Sequence, residues 1–183
     1  RGPGDGFGGT GSAGLVRRDP FIATRSGGTL FSPADEDQNM AGTEGSVRET
    51  YAAAIQHDLV DLPDEAYLAG VVRKPMPWLH GVVDDNFPAL GPPEDLLEET
   101  KRREEDFKRQ GICDAEALNA AWEDTNFADR YRDYVRDSDA ADEALAALED
   151  RLAAGTDVVL VCYESDEKRC HRHLLVEELQ ARD

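Results

Sequence analysis

Lysine is scarce in this chain, and so is any gathering of positive charge. Four lysines and 16 arginines face 39 acidic residues, for a net charge of -19. Phosphate contacts to a duplex need Lys and Arg clustered on one face, so broad duplex nucleic-acid binding is not expected. A small, locally positive pocket stays open as a possibility of the sequence. The acids are spread along the chain rather than blocked in a tail. With abundant alanine and arginine in place of lysine, this reads as a protein of a cytoplasm at very high salt, kept hydrated by its carboxylates. Cysteine is scarce as well: three residues at uneven spacings do not make a secreted disulfide framework. They suit a reducing interior, where thiols are catalytic, metal-binding or buried. No apolar run reaches membrane-spanning length, and the glycine-rich beginning carries no apolar signal core, so the expected address is the cytoplasm, away from membranes.

Residues 1–46 hold 11 of the 16 glycines and almost no periodic apolar pattern. The tract from Gly4 to Gly14 invites a phosphate-loop reading. It lacks the preceding strand, the Gly-Lys-Ser/Thr ending and the following helix that such a loop needs. A flexible tail over 1–46 is expected, followed by a single α/β domain over 47–183.

Within that domain, Thr50 to Ile55 is ambiguous, because alanine favours helix while tyrosine and isoleucine tolerate strand. Ala66 to Val72 reads as a buried strand ending at Arg73-Lys74-Pro75. Five prolines between Pro75 and Pro93 then predict a long loop, in which Trp78, His80, Asp84, Asp85, Asn86 and Phe87 are candidates to line a pocket. Four helices follow: Glu94–Lys108, Ala115–Glu123 capped by Asp114, a segment capped by Asn126 that carries Tyr131 and Tyr134, and a last one starting at Asp139 and ended by Gly155. The aromatics of the third are expected in the core. Val158–Tyr163, apolar on both faces, is a central parallel strand, and Leu174, Leu175 and Leu179 mark a closing helix. The fold class is therefore α/β: a small, mainly parallel sheet flanked by helices, with a helix-rich insertion before the last strand.

The chemistry gathers where that last strand meets the last helix. Cys162-Tyr163-Glu164 ends the strand, and Cys170-His171-Arg172 opens the helix. These residues resemble the signature of the domain-of-unknown-function family numbered 488, in which a strand ending Cys-x-Glu is followed by Cys-His-Arg. Gly70-Val71-Val72-Arg73-Lys74-Pro75 resembles its upstream marker, a strand ending in Val-Arg with a proline soon after. Tyr131 and Tyr134 fit its tyrosine-bearing helix. The resemblance covers roughly residues 50–182, and implies an α/β fold without a settled biochemical activity. Two features depart from the family: Ile55-Gln56-His57 stands for a Gly-His-Ser/Thr segment, and no further strand follows the last helix. The acidity points to a divergent, salt-adapted (haloarchaeal-like) branch.

Three readings of the corner remain open. Cys170, at a helix N-terminus beside His171 and Arg172, has the surroundings that stabilise a thiolate. In an enzyme reading, Cys170, Glu164 and His171 are catalytic, while Arg73, Arg172, Cys162 and Trp78 bind a small anionic ligand such as a phosphate, carboxylate or nucleotide. The Trp78 loop is then a lid. In a metal reading, Cys162, Cys170, His171 and His173 hold zinc, although the spacing fits zinc sites poorly and no cofactor is the primary expectation. A reversible Cys162–Cys170 disulfide is a related option. In a structural reading, Cys162 is a buried strand thiol, Glu164 pairs with Arg172, and the module is not catalytic. No oligomeric state follows from the sequence.

Overall fold

A computed structural model describes residues 44–182 of the 183-residue chain. The expected tail lies outside the described residues up to position 43, as does the Gly4–Gly14 tract. Four strands form one sheet in the order β1-β4-β2-β3, and every neighbouring pair runs parallel. They are β1 (Val47–Tyr51), β2 (Tyr67–Gly70), β3 (Asp85–Asn86) and β4 (Val158–Cys162). The helices are α1 (Ala52–Gln56), α2 (Glu94–Arg109), α3 (Asp114–Asp124), α4 (Phe127–Asp137), α5 (Asp139–Ala153) and α6 (His171–Arg182). This is the small α/β fold expected, with α2–α5 inserted before the last strand.

The centre of the sheet follows from β4. Its Val-Val-Leu-Val-Cys run is buried at every position, as a strand covered on both faces requires. Each of the four aliphatic side chains is worth about 2 kcal/mol relative to leaving it exposed. Tyr51 settles the ambiguous stretch before it: the chain is extended through Tyr51, then turns directly into α1 without a side-chain cap. The proline-rich segment is not a plain loop. Two 3-10 turns, Pro77–Gly81 and Pro88–Leu90, flank the two-residue strand β3. Asn86 in β3 hydrogen-bonds both Val72 N and Val72 O through its side chain, at 3.2 and 2.9 Å. It thereby carries the ladder past the end of β2.

The helix boundaries correct two capping expectations. Cys113 rather than Asp114 precedes α3, and Asp114 lies inside the helix, pairing with Lys108 at 2.9 Å. Asn126 makes no side-chain cap; it adopts a left-handed backbone (φ 49) that turns the chain between α3 and α4. Asp139 starts α5 as expected, and Ser138 before it is the cap, its hydroxyl accepting from Ala141 N at 3.3 Å. Gly111 and Gly155 end α2 and α5 with positive φ, as glycine after a helix commonly does.

The topology decides where a site forms. The chain leaving β2 moves outward to β3, while the chain leaving β4 returns in α6, which packs on β1 and β4. Two adjacent strands thus send their continuations in opposite directions, and a crevice opens between their carboxyl ends. No helix among the described residues is long and apolar enough to cross a membrane.

Candidate functional site

The crevice between β2 and β4 is a cleft of about 300 Å³. Val72, Arg73 and Lys74 line it from the end of β2, and Cys162, Tyr163 and Glu164 from the end of β4. Its far side is α2, through Glu94, Leu97, Glu98 and Lys101, with His171 at the base of α6. Cationic, acidic and apolar groups therefore share one small space.

Three groups converge at its floor. The sulfur atoms of Cys162 and Cys170 and a ring nitrogen of His171 all lie within 4.8 Å of one another. Cys162 and His171 are each 6% exposed and reach the cleft. Cys170, at 2%, sits behind them and is not part of the cleft wall. His171 Nε2 lies 2.7 Å from the carbonyl oxygen of Val71, which only accepts, so Nε2 carries the proton and donates. The other ring nitrogen, Nδ1, faces Cys170 Sγ 3.6 Å away. Tyr131 packs edge-on against that ring and is itself tied by its hydroxyl to Leu90 O at 2.6 Å.

The two thiols are pushed apart in acidity. Burial by itself raises Cys170, but the hydrogen bond from Cys162, the charges of His171 and Arg172 and the hydrogen bond to His171 outweigh it and hold Cys170 well below the ordinary thiol value. Cys162 moves the other way, raised by its hydrogen bond to Cys170 and by burial. Such a pair shares one proton, and its ionisation belongs to both sulfurs.

Arg73 is the cation built into the cleft wall. Its Nε donates to Pro92 O at 2.6 Å and Gly91 O at 3.2 Å, and its Nη2 to Gly91 O at 2.7 Å and the Tyr134 hydroxyl at 2.5 Å. The guanidinium also lies over the Tyr134 ring, 5.3 Å from its centre. Its Nη1 has no hydrogen bond among the described residues. Gly91 has to be glycine here, because a Cβ would come within 2.4 Å of Arg73 N.

Arg172 is placed differently. Its side chain is fully buried and does not line the cleft. Nη1 donates to Glu164 O at 2.5 Å and Nη2 to Asp166 Oδ1 at 2.8 Å, so it clamps the loop between β4 and α6 from beneath. Its Nε has no hydrogen-bond partner, nor does the facing Glu49 Oε2 at 3.9 Å. The Glu164 contact is thus to the main chain; the Glu164 carboxylate stands at the cleft, 3.4 Å from Lys168 Nζ. From outside, Asn119 of α3 accepts from Arg169 N at 2.8 Å and donates to Glu167 O at 3.3 Å. The loop carrying both thiols is held on two sides.

Trp78, 42% exposed, lies beside the cleft rather than in its wall. It packs against Tyr163 with ring centres 5.4 Å apart, while the Tyr163 hydroxyl accepts from Met76 N at 2.7 Å. Asp84 and Asp85 serve β2, accepting from Leu68 N and the Tyr67 hydroxyl at 2.7 and 2.8 Å. His173 turns to Glu49 and is not part of the Cys162–Cys170–His171 group.

That group supplies three soft donors, and among the described residues no fourth His, Cys, Asp or Glu joins it. A metal there would take its fourth ligand from the cleft, as open three-ligand zinc sites do.

The profile of DUF488-N3a, described as the active DUF488-N3 subclade, matches residues 59–183, about two thirds of the chain. The chain belongs to the DUF488 family. No curated protein and no solved structure matches it. The DUF488 match spans both halves of the cleft, the β2 end and the β4–α6 corner.

Sequence reasoning missed Tyr134, Gly91 and the α2 side chains Glu98 and Lys101. Tyr134 was expected only to pack, yet it positions Arg73. Its spacing of three from Tyr131 was the available signal: both hydroxyls reach the turn at Pro88–Leu90, Tyr134 bonding Ala89 O at 2.7 Å.

Proposed function

We propose that this DUF488 protein is an enzyme that holds a small anionic ligand in the β2–β4 cleft and acts on it through the Cys162–Cys170 thiol pair. The observation that carries the reading is the position of Cys162. It lies at the floor of a cleft at the carboxyl edge of a parallel sheet, with an immobilised arginine in the wall. Arg73 has spent its other donors on main-chain carbonyls and the Tyr134 hydroxyl and meets an anionic oxygen with Nη1; Lys101 stands at the rim, while Lys74 is paired with Glu94. Cys162 is the sulfur a ligand reaches, and Cys170 behind it, with His171 beside both, shares its proton. Glu164 is placed to exchange a proton at the mouth. The word active in the subclade's description fits a catalytic member. The setting supposed is a cytoplasm at high salt, in keeping with a net charge of -19.

Alkylation tests the reading directly. In a Cys113→Ser background, which removes the exposed third thiol, iodoacetamide is expected to label Cys162 through the cleft, slowly at neutral pH and faster as the pH rises, because its thiol is pushed up by Cys170 and by burial. Inorganic phosphate or a small dicarboxylate should protect it, and Arg73→Ala should abolish the protection. Labelling of Cys162 that neither anion slows at any concentration would exclude the anion site.

A further inference from the structure

We propose that Cys162 and Cys170 form a redox couple in which the cleft-facing Cys162 is oxidised by a small hydroperoxide and Cys170 resolves the product to an internal disulfide. The inference rests on the thiol reading above and gives that site a substrate class. Four features of the molecule carry it. The two sulfurs are within 4.8 Å of each other. Their access is unequal, since only Cys162 lines the cleft while Cys170 is shielded behind it. That asymmetry separates an attacking thiol from a resolving one. Nδ1 of His171 faces Cys170 Sγ at 3.6 Å while its other nitrogen is committed to Val71 O. The ring is therefore placed to hold Cys170 beside its partner sulfur. Finally, the loop between the cysteines is clamped by Arg172 and Asn119, which keeps the second thiol beside the first.

The size of the oxidant follows from access. A cysteine 6% exposed at the floor of a 300 Å³ cleft is closed to a disulfide carried on another folded protein. A small hydroperoxide enters.

The step balances. At rest Cys162 carries the shared proton and Cys170 is the thiolate; as Cys162 attacks, its proton moves to Cys170, which acts as the base. Cys162 Sγ attacks the terminal oxygen of ROOH; the S–O bond forms, the O–O bond breaks, and the leaving alkoxide takes a solvent proton to become ROH. Cys170 then attacks Cys162 Sγ. The S–S bond forms, the S–O bond breaks, and the departing hydroxide takes the Cys170 proton and leaves as water. Two thiol electrons have reduced the hydroperoxide. A small-molecule thiol regenerates the pair by exchange, two equivalents leaving as their own disulfide.

The test uses the full chain in the Cys113→Ser background. Treated with equimolar hydrogen peroxide, it is expected to lose two titratable thiols, and peptide mapping should find Cys162 joined to Cys170. In the further variant Cys170→Ser, Cys162 should instead accumulate as a sulfenic acid captured by dimedone. In Cys162→Ser, the Cys170 thiol should survive the same treatment. Retention of both thiols by the Cys113→Ser protein overturns the proposal, and this measurement does not depend on the other variants folding. Oxidation of Cys170 at an undiminished rate without Cys162 overturns it as well. Anion-protected alkylation of Cys162 together with absent disulfide formation removes the redox step alone. Unprotected alkylation with disulfide formation removes the anion site alone.

Discussion

His171 donates from Nε2 to the main-chain oxygen of Val71 across 2.7 Å. The bond ties the first residue of α6 to the residue after β2, 100 positions earlier. It joins the two walls of the cleft and leaves Nδ1 directed at Cys170. The acceptor is a carbonyl, so the tautomer is set by the fold rather than by solvent. The same contact that closes the sheet onto its last helix therefore prepares the thiol pair.

Arg172 should prove a stability residue. Arg172→Ala removes a fully buried guanidinium and leaves the Glu164 carbonyl without its donor, while the exposed Asp166 carboxylate returns to water. Urea unfolding should show a loss of about 2 kcal/mol, from a charge-assisted hydrogen bond and the packing of the buried side chain. Arg172→Lys should recover only a minor part, because an ammonium does not span both the carbonyl and the carboxylate.

Tyr134→Phe separates binding from folding. It removes one hydroxyl that bonds Ala89 O and receives Arg73 Nη2. Stability should fall by about 1 kcal/mol, while phosphate affinity measured by calorimetry should weaken several-fold as Arg73 loosens. Unchanged affinity would show that Arg73 does not need this support.

Asp157 gives a pH dependence with a defined sign. Its carboxylate accepts from Ser46 Oγ and Ser46 N at 2.6 and 2.7 Å, and these bonds lower its pKa below the ordinary carboxylate value. A folded-state pKa below the unfolded one stabilises the protein above the unfolded value, about 3.9, and that stability is lost as pH falls through the folded value. Asp157→Asn should thus flatten the acid limb of stability below about pH 4. Thermal midpoints between pH 2 and pH 6 check this, and an unaltered acid limb in the variant would count against the linkage.

Metal content distinguishes the thiol reading from the three-donor alternative. Protein purified without added metal should contain substoichiometric zinc, and chelation should leave its thermal midpoint unchanged. Stoichiometric zinc, lost together with stability in Cys170→Ser, would move Cys162, Cys170 and His171 from redox chemistry to metal binding.

Much of the fold was legible because burial writes itself into local pattern. Val158–Cys162 is apolar at every position, which only a strand covered on both faces explains, and it is the central strand. The four helices before it follow their apolar spacing. The caps were misread at Asp114 and Asn126, because several polar residues at each boundary satisfy the same local rule. The register of the turn is then decided by packing. The strand β3 escaped notice for another reason. Its two residues pair with Ala69 and Gly70, and so short an element has no period to detect.

By itself, the sequence determined the chemical types at the corner: two thiols, an imidazole, a carboxylate and an arginine around one strand–helix junction. Tertiary structure alone decided which way each faces. Cys162 took the cleft and Cys170 the interior, Arg172 turned inward beneath its loop, and Arg73 became the cation of the wall. The physical reason is distance along the chain. Arg73 is fixed by Tyr134, 61 residues away, and His171 by Val71, 100 residues away. No local periodicity encodes where such partners will stand.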